Sequence, residues 1–83
     1  MDLKDSVRQY IIENFLFGDE SILESNSMSL LDGGIIDSVG VMELVAFLEQ
    51  DFEIVVADED LIPENLDSVD NLAAFIEKRK STL

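Results

Sequence analysis

Gly34-Ile35-Ile36-Asp37-Ser38-Val39-Gly40-Val41-Met42-Glu43-Leu44-Val45-Ala46-Phe47-Leu48-Glu49-Gln50-Asp51-Phe52 is the stretch on which the organisation of this chain turns. Val41, Leu44, Val45, Leu48 and Phe52 fall at i, i+3, i+4, i+7 and i+11, the spacing of an amphipathic helix, and predict one from about Ser38 to Asp51. Glu43, Glu49 and Gln50 face outward in this register. Val39, Met42, Ala46 and Phe47 are apolar too, so the helix is greasier than one buried face requires. Either it is covered on two sides or it offers an apolar rim to a partner or cargo. Gly33-Gly34 supplies a flexible turn ahead of it, and Asp37-Ser38 falls where a helix N-cap is expected. As a cap alone, Ser38 predicts a loss of about 1 kcal/mol on Ser38→Ala. A hydroxyl at a helix start also suits an attached phosphate, because the free N–H groups and the helix dipole favour negative charge there.

Working outward, Leu3, Val7, Tyr10, Ile11 and Phe15 predict a first helix over about residues 2–16, with Gly18 as its stop. Residues 18–37 read as a long loop, with Ile22, Leu23, Met28, Leu30 and Leu31 pinning parts of it to the core. A loop that long in a small domain is often functional. On the other side, 53–57 is a connector in which Ile54 and Val56 face inward. Asp58 to Ile62 should form a short helical turn that stops at Pro63. Asp67 or Ser68 caps a last helix to about Lys80, with Val69, Leu72, Ala73 and Ile76 facing in. Nothing alternates long enough to make a strand. The expectation is an all-α fold: a single domain over 1–83, built as a small four-helix bundle of three main helices and one short one, with a long loop between the first two.

Composition narrows the chemistry. The 83 residues contain no cysteine and no histidine, so thiolate catalysis, disulfides and the commonest general base and metal ligand are missing. A nucleophilic serine would have only carboxylates to activate it, so the chain is not read as an enzyme. The acid clusters at 32–37 and 58–60 lack the ligand spacing of a calcium loop, and no metal site is assigned. Net charge is −14, and from Gln9 to Glu77 there is no Lys or Arg, although only Asp2 and Asp5 of the 19 acids lie outside that span. Such a surface repels nucleic acid and anionic lipid and attracts basic patches on proteins. The charged N-terminus and the lack of a long apolar run predict neither signal peptide nor membrane span, hence a cytoplasmic protein, and a monomer is expected. Met28, Val39, Met42, Phe47 and Ile62 are candidates to line a cargo space, although core packing explains each of them equally.

Taken together, Gly34 to Phe52 and the downstream Ile62-Pro63-Glu64-Asn65-Leu66-Asp67-Ser68-Val69-Asp70-Asn71-Leu72-Ala73-Ala74-Phe75-Ile76 resemble the signature of acyl carrier proteins. The match covers almost the whole chain and is weakest over residues 1–30. The resemblance implies that Ser38 carries 4′-phosphopantetheine, installed from coenzyme A by a phosphopantetheinyl transferase, and that acyl groups ride on its thiol as thioesters. This fits the absence of cysteine, since the sulfur would arrive with the prosthetic group. It also implies that Asp37 lies at the transferase interface near its magnesium. Val39, Met42, Glu43 and Glu49 would then be contacts for partner enzymes with basic patches. Val39 stands where many members have Leu, and Gly40 where many fatty-acid-type members have an acid. The Gly-Ile-Ile-Asp-Ser lead-in looks more like discrete carriers loaded by AMP-forming acyl-activating ligases. Fatty acid, polyketide and other secondary-metabolite cargo remain open, as do an aminoacyl or peptidyl carrier and an unmodified acidic interaction domain.

Overall fold

A computed structural model describes residues 3–81. Its four α-helices are α1 (Leu3–Phe15), α2 (Ser38–Phe52), α3 (Pro63–Leu66) and α4 (Val69–Ser81), with 3-10 turns at Glu20–Ile22 and Asp58–Asp60 and no strand among the described residues. The all-α expectation holds. Asp2, the expected first residue of the first helix, lies outside the described residues.

The core is one continuous cluster drawn from every part of the bundle. Val7 and Ile11 of α1, Leu44 and Leu48 of α2, and Leu72 and Ile76 of α4 are completely buried in it. Burying a side chain of this size stabilises by about 1.5–3 kcal/mol each. α4 packs against both α1 and α3. The connector after α2 behaves as its alternation predicts: Ile54 is buried, Val55 exposed and Val56 half-buried.

Three expectations need correction. The short turn expected over Asp58–Ile62 is present but shorter, and a further one-turn helix that was not expected starts at Pro63, because proline lacks the N–H that the first helical residue does not use and brings a preset φ. Asp58–Asp60 is a separate 3-10 turn, closed by the Asp60 carboxylate accepting the Ala57 N–H at 3.0 Å. In the long loop, Leu23 and Leu30 are fully buried and Met28 half-buried, but Ile22 and Leu31 remain exposed.

The choice of cap for α4 is also decided. Ser68 Oγ accepts the Asn71 N–H at 3.0 Å, which leaves Asp67 free for another task. Its carboxylate accepts from Ser29 Oγ, at 2.8 and 2.7 Å to its two oxygens, and from the Leu31 N–H at 2.9 Å. The Asp67 carbonyl takes the Leu30 N–H, and the Asn26 carbonyl takes the Asp70 N–H in the first turn of α4. Arg8 binds the same loop from below, donating to the Leu23 carbonyl at 2.7 Å and to Asn26 Oδ1 at 3.1 Å. The long loop is therefore a docked segment whose backbone groups have partners in α1 and at the start of α4.

Candidate functional site

The loop's last residues position the start of α2. Gly34 takes a φ of +71°, a conformation open to glycine at little cost, and turns the chain. Ile35 and Ile36 then bury their side chains, while their N–H groups both donate to the Leu30 carbonyl, at 3.0 and 3.2 Å. With the lead-in anchored, Asp37 and Ser38 emerge at the surface.

Asp37, with extended backbone, is the N-cap: its Oδ1 accepts the Gly40 N–H at 2.8 Å. Ser38 is therefore the first helical residue and not the cap. Its hydroxyl is exposed and has no hydrogen-bond partner among the described residues. The alternative in which Ser38 serves as the cap is thus excluded, and with it the stability cost of Ser38→Ala that this alternative carried.

Beside Ser38 lies an apolar cleft of about 300 Å³, walled by Leu31 of the loop, Val41 of α2, and Leu61, Ile62, Pro63 and Leu66. Of the candidate cargo-lining residues only Ile62 belongs to it. Met28 lies against the loop, with Cε 3.2 Å from where a Gly33 Cβ would stand, and Phe47 is stacked on Tyr10. Val39 and Met42 are exposed, at 69 and 59%, on the outer crest of α2. Leu31, Leu61 and Leu66 were missed as cleft walls. The signal available was a pair of aliphatics directly ahead of a proline, which holds the nearer one, Ile62, in extended backbone next to a helix start.

The proposed partner contacts separate in space. At about 100° per residue, Met42 and Glu49 project within about 40° of Ser38 around α2, whereas Val39 projects about 100° and Glu43 about 140° around from it. Glu49 is partly committed to the fold, since its Oε2 accepts the Val56 N–H at 3.1 Å. Gly40, between them, is buried: a Cβ there would stand 3.0 Å from Phe15 Cε1 and 3.3 Å from Ile36 Cγ2. The residue two places after Ser38 is therefore not simply a missing acid. It is the point where the end of α1 closes on α2, and any side chain must displace Phe15.

No group of three or more acidic side chains able to hold a metal ion occurs among the described residues. Asp60, in one of the two acidic stretches, is paired with Arg79. The Tyr10 phenol is held above its ordinary value of 10.0 by burial first and by the nearby Glu43 and Asp51 carboxylates second.

The start of α2 thus presents an unused serine hydroxyl beside an apolar cleft, and comparison with known proteins gives the class. Residues 5–76 match the phosphopantetheine attachment site family, and the chain belongs to it. It is thus a carrier protein and not an enzyme, and the family's prosthetic group is covalently attached 4′-phosphopantetheine. Among its relatives, a probable acyl carrier protein, PigG of Serratia sp., is 27% identical over 95% of this chain and 90% of its own length. The D-alanyl carrier protein of Abiotrophia defectiva is 29% identical over 78% of this chain and 82% of that protein. The D-alanyl carrier protein of Streptococcus suis is 38% identical over 68% and 67%. No described helix is long and apolar enough to cross a membrane.

Proposed function

We propose that Ser38 is the attachment residue and that the chain carries acyl groups handed to it by an AMP-forming acyl-activating ligase. The observation that carries this reading is the division of labour at the start of α2. Asp37 satisfies the cap, so Ser38 Oγ is exposed and unengaged, and a substituent on it displaces no structural hydrogen bond. The N–H groups of Ser38 and Val39, in the first turn of the helix, have no acceptor within the helix, and the helix dipole favours the negative charge that a phosphodiester on Ser38 would bring. The prosthetic group supplies a thiol on a flexible arm, which a chain without cysteine cannot supply itself. Asp37 keeps a second carboxylate oxygen for the transferase and its magnesium. Val39 and Met42, exposed on the crest of the same helix, are the apolar contacts for incoming enzymes.

Incubation with coenzyme A, magnesium and a broad-specificity phosphopantetheinyl transferase should add about 340 Da to the intact chain, and Ser38→Ala should remove the gain entirely. A wild-type chain that no such transferase modifies, or a Ser38→Ala chain that still gains the mass, sinks the reading. An aminoacyl cargo is the second reading, favoured by the D-alanyl carriers among the relatives. Intact mass after isolation from the native host distinguishes the two by the mass of the cargo.

A further inference from the structure

Composition confines where a peroxide can act on this chain. There is no cysteine, tryptophan or histidine, so the thioethers of its three methionines are the side chains most open to oxidation. Met28 and Met42 lie among the described residues, and the fold treats them differently. Met28 is half-buried and packs against the core cluster. Its Sδ accepts the Glu24 N–H at 3.3 Å, which engages a sulfur lone pair. Met42 is 59% exposed and stands outside the core cluster, and its sulfur has no hydrogen-bond partner among the described residues.

Met42 also stands beside the free hydroxyl. It lies one turn on from Ser38, within about 40° around α2 and ~6 Å along it. Val39, exposed and three residues before Met42, extends the same apolar crest. A protein that reaches Ser38 along α2 therefore covers the Met42 sulfur.

We infer that Met42 is a site of reversible oxidation by a hydroperoxide, and that its sulfoxide slows the enzymes that dock at Ser38. The inference rests on the attachment reading for the identity of those enzymes. In the reaction a sulfur lone pair attacks the terminal peroxide oxygen. An S–O bond forms as the O–O bond breaks, and the sulfur gives up two electrons. The proton of the attacked oxygen passes to the departing one, which leaves as alcohol, or as water from hydrogen peroxide. A thiol-dependent methionine sulfoxide reductase reverses the step: two thiols become a disulfide and the oxygen leaves as water. A neutral hydroperoxide is not repelled by a surface of net charge −14, as an anionic oxidant would be. The product sets a polar oxygen on an apolar crest, and a docking enzyme must strip its water without offering it a donor. Because Met42 stands outside the core cluster, the cost falls on docking and not on the fold.

The full chain, before loading, is treated with a small excess of hydrogen peroxide and cleaved after its acidic residues, which puts Met1, Met28 and Met42 in separate peptides. Sulfoxide should form at Met42 at least about threefold faster than at Met28. Loading of the treated chain by a phosphopantetheinyl transferase, with coenzyme A and magnesium, should fall about tenfold in kcat/KM, through KM, with the melting temperature unchanged. A methionine sulfoxide reductase with dithiothreitol should restore it. The same fall should occur in Met28→Leu. In Met42→Leu, where Met1 and Met28 remain, treated and untreated samples of that variant should load at equal rates. Equal oxidation of Met28 and Met42, a fall that persists in Met42→Leu, or a lowered melting temperature of the treated chain would overturn the inference. A chain that loads before treatment and equally well after it sinks this inference alone. A chain that no transferase loads even before treatment sinks the attachment reading, and this inference with it.

Discussion

On the flank of α2 that carries Ser38, the helix faces Leu31, Leu61, Ile62, Pro63 and Leu66 across an apolar cleft that one exposed hydroxyl adjoins. On the other flank it faces α1 across a Tyr10–Phe47 stack rimmed by Glu13, Glu43 and Asp51. The first flank is assembled from loops and a one-turn helix, and is held in register by polar ties from Asp67 and the Asp37 cap. The second is assembled from two long helices, and direct ring contact holds it. The difference teaches what fixes each flank: the proposed attachment residue sits at a helix end, where hydrogen bonds hold the backbone. The other flank lies along a helix pair, where packing fixes the shape and the charges lie outside it.

The sharpest way to break that comparison is Ser38→Ala. Loading with the prosthetic group should fall to nothing, while the melting temperature stays within the scatter of neutral surface substitutions, about 0.5 kcal/mol, because Asp37 does the capping. A large loss of stability would mean that the hydroxyl belongs to the fold after all. Next in size is Asp67→Ala, which strands Ser29 Oγ and the Leu31 N–H and should cost about 2–3 kcal/mol in urea unfolding. It should also loosen the Leu31 side of the cleft, seen as faster amide exchange at residues 29–36, with residues 5–12 little changed.

Asp37→Ala removes the cap and should cost about 1 kcal/mol, a loss that Asp37→Asn largely avoids, since an amide oxygen also accepts the Gly40 N–H. Gly40→Ala tests where the two flanks meet. A helix gains up to ~1 kcal/mol from alanine over glycine, but here the new Cβ must push Phe15 aside. The substitution should therefore be close to neutral alone and stabilising in a Phe15→Leu background. Additivity in that double-mutant cycle would show that the two residues do not meet.

The smallest expected effect belongs to pH. The folded chain holds the Tyr10 proton to higher pH than the unfolded chain, whose phenol titrates near 10.0. Stability is therefore unaffected by this group below that value and declines as pH climbs from it through the raised one. Phenolate absorbance should give a midpoint above 10.0 for wild type, and one closer to it in Glu43→Gln, where one of the two carboxylates is neutralised.

The sequence by itself determined the three long helices and the family. The 3.6-residue spacing of Val41, Leu44, Val45 and Leu48 has few realisations other than a helix with that face buried, and Leu44 and Leu48 are completely buried. The string around Ser38, with the segment from Ile62 to Ile76, was enough to name the family. The tertiary structure decided which polar residue does which task. Asp37 or Ser38, and Asp67 or Ser68, are equal candidates to cap a helix from composition alone, because all four side chains can accept a backbone N–H. Only the position of the loop shows that Asp67 is needed by Ser29 and Leu31, and only the backbone at Asp37 shows that Ser38 is left over. Gly40 carries the same lesson. In the sequence it is an absent acid, and in the fold it is where Phe15 meets α2, a contact between residues 25 positions apart that no local pattern encodes.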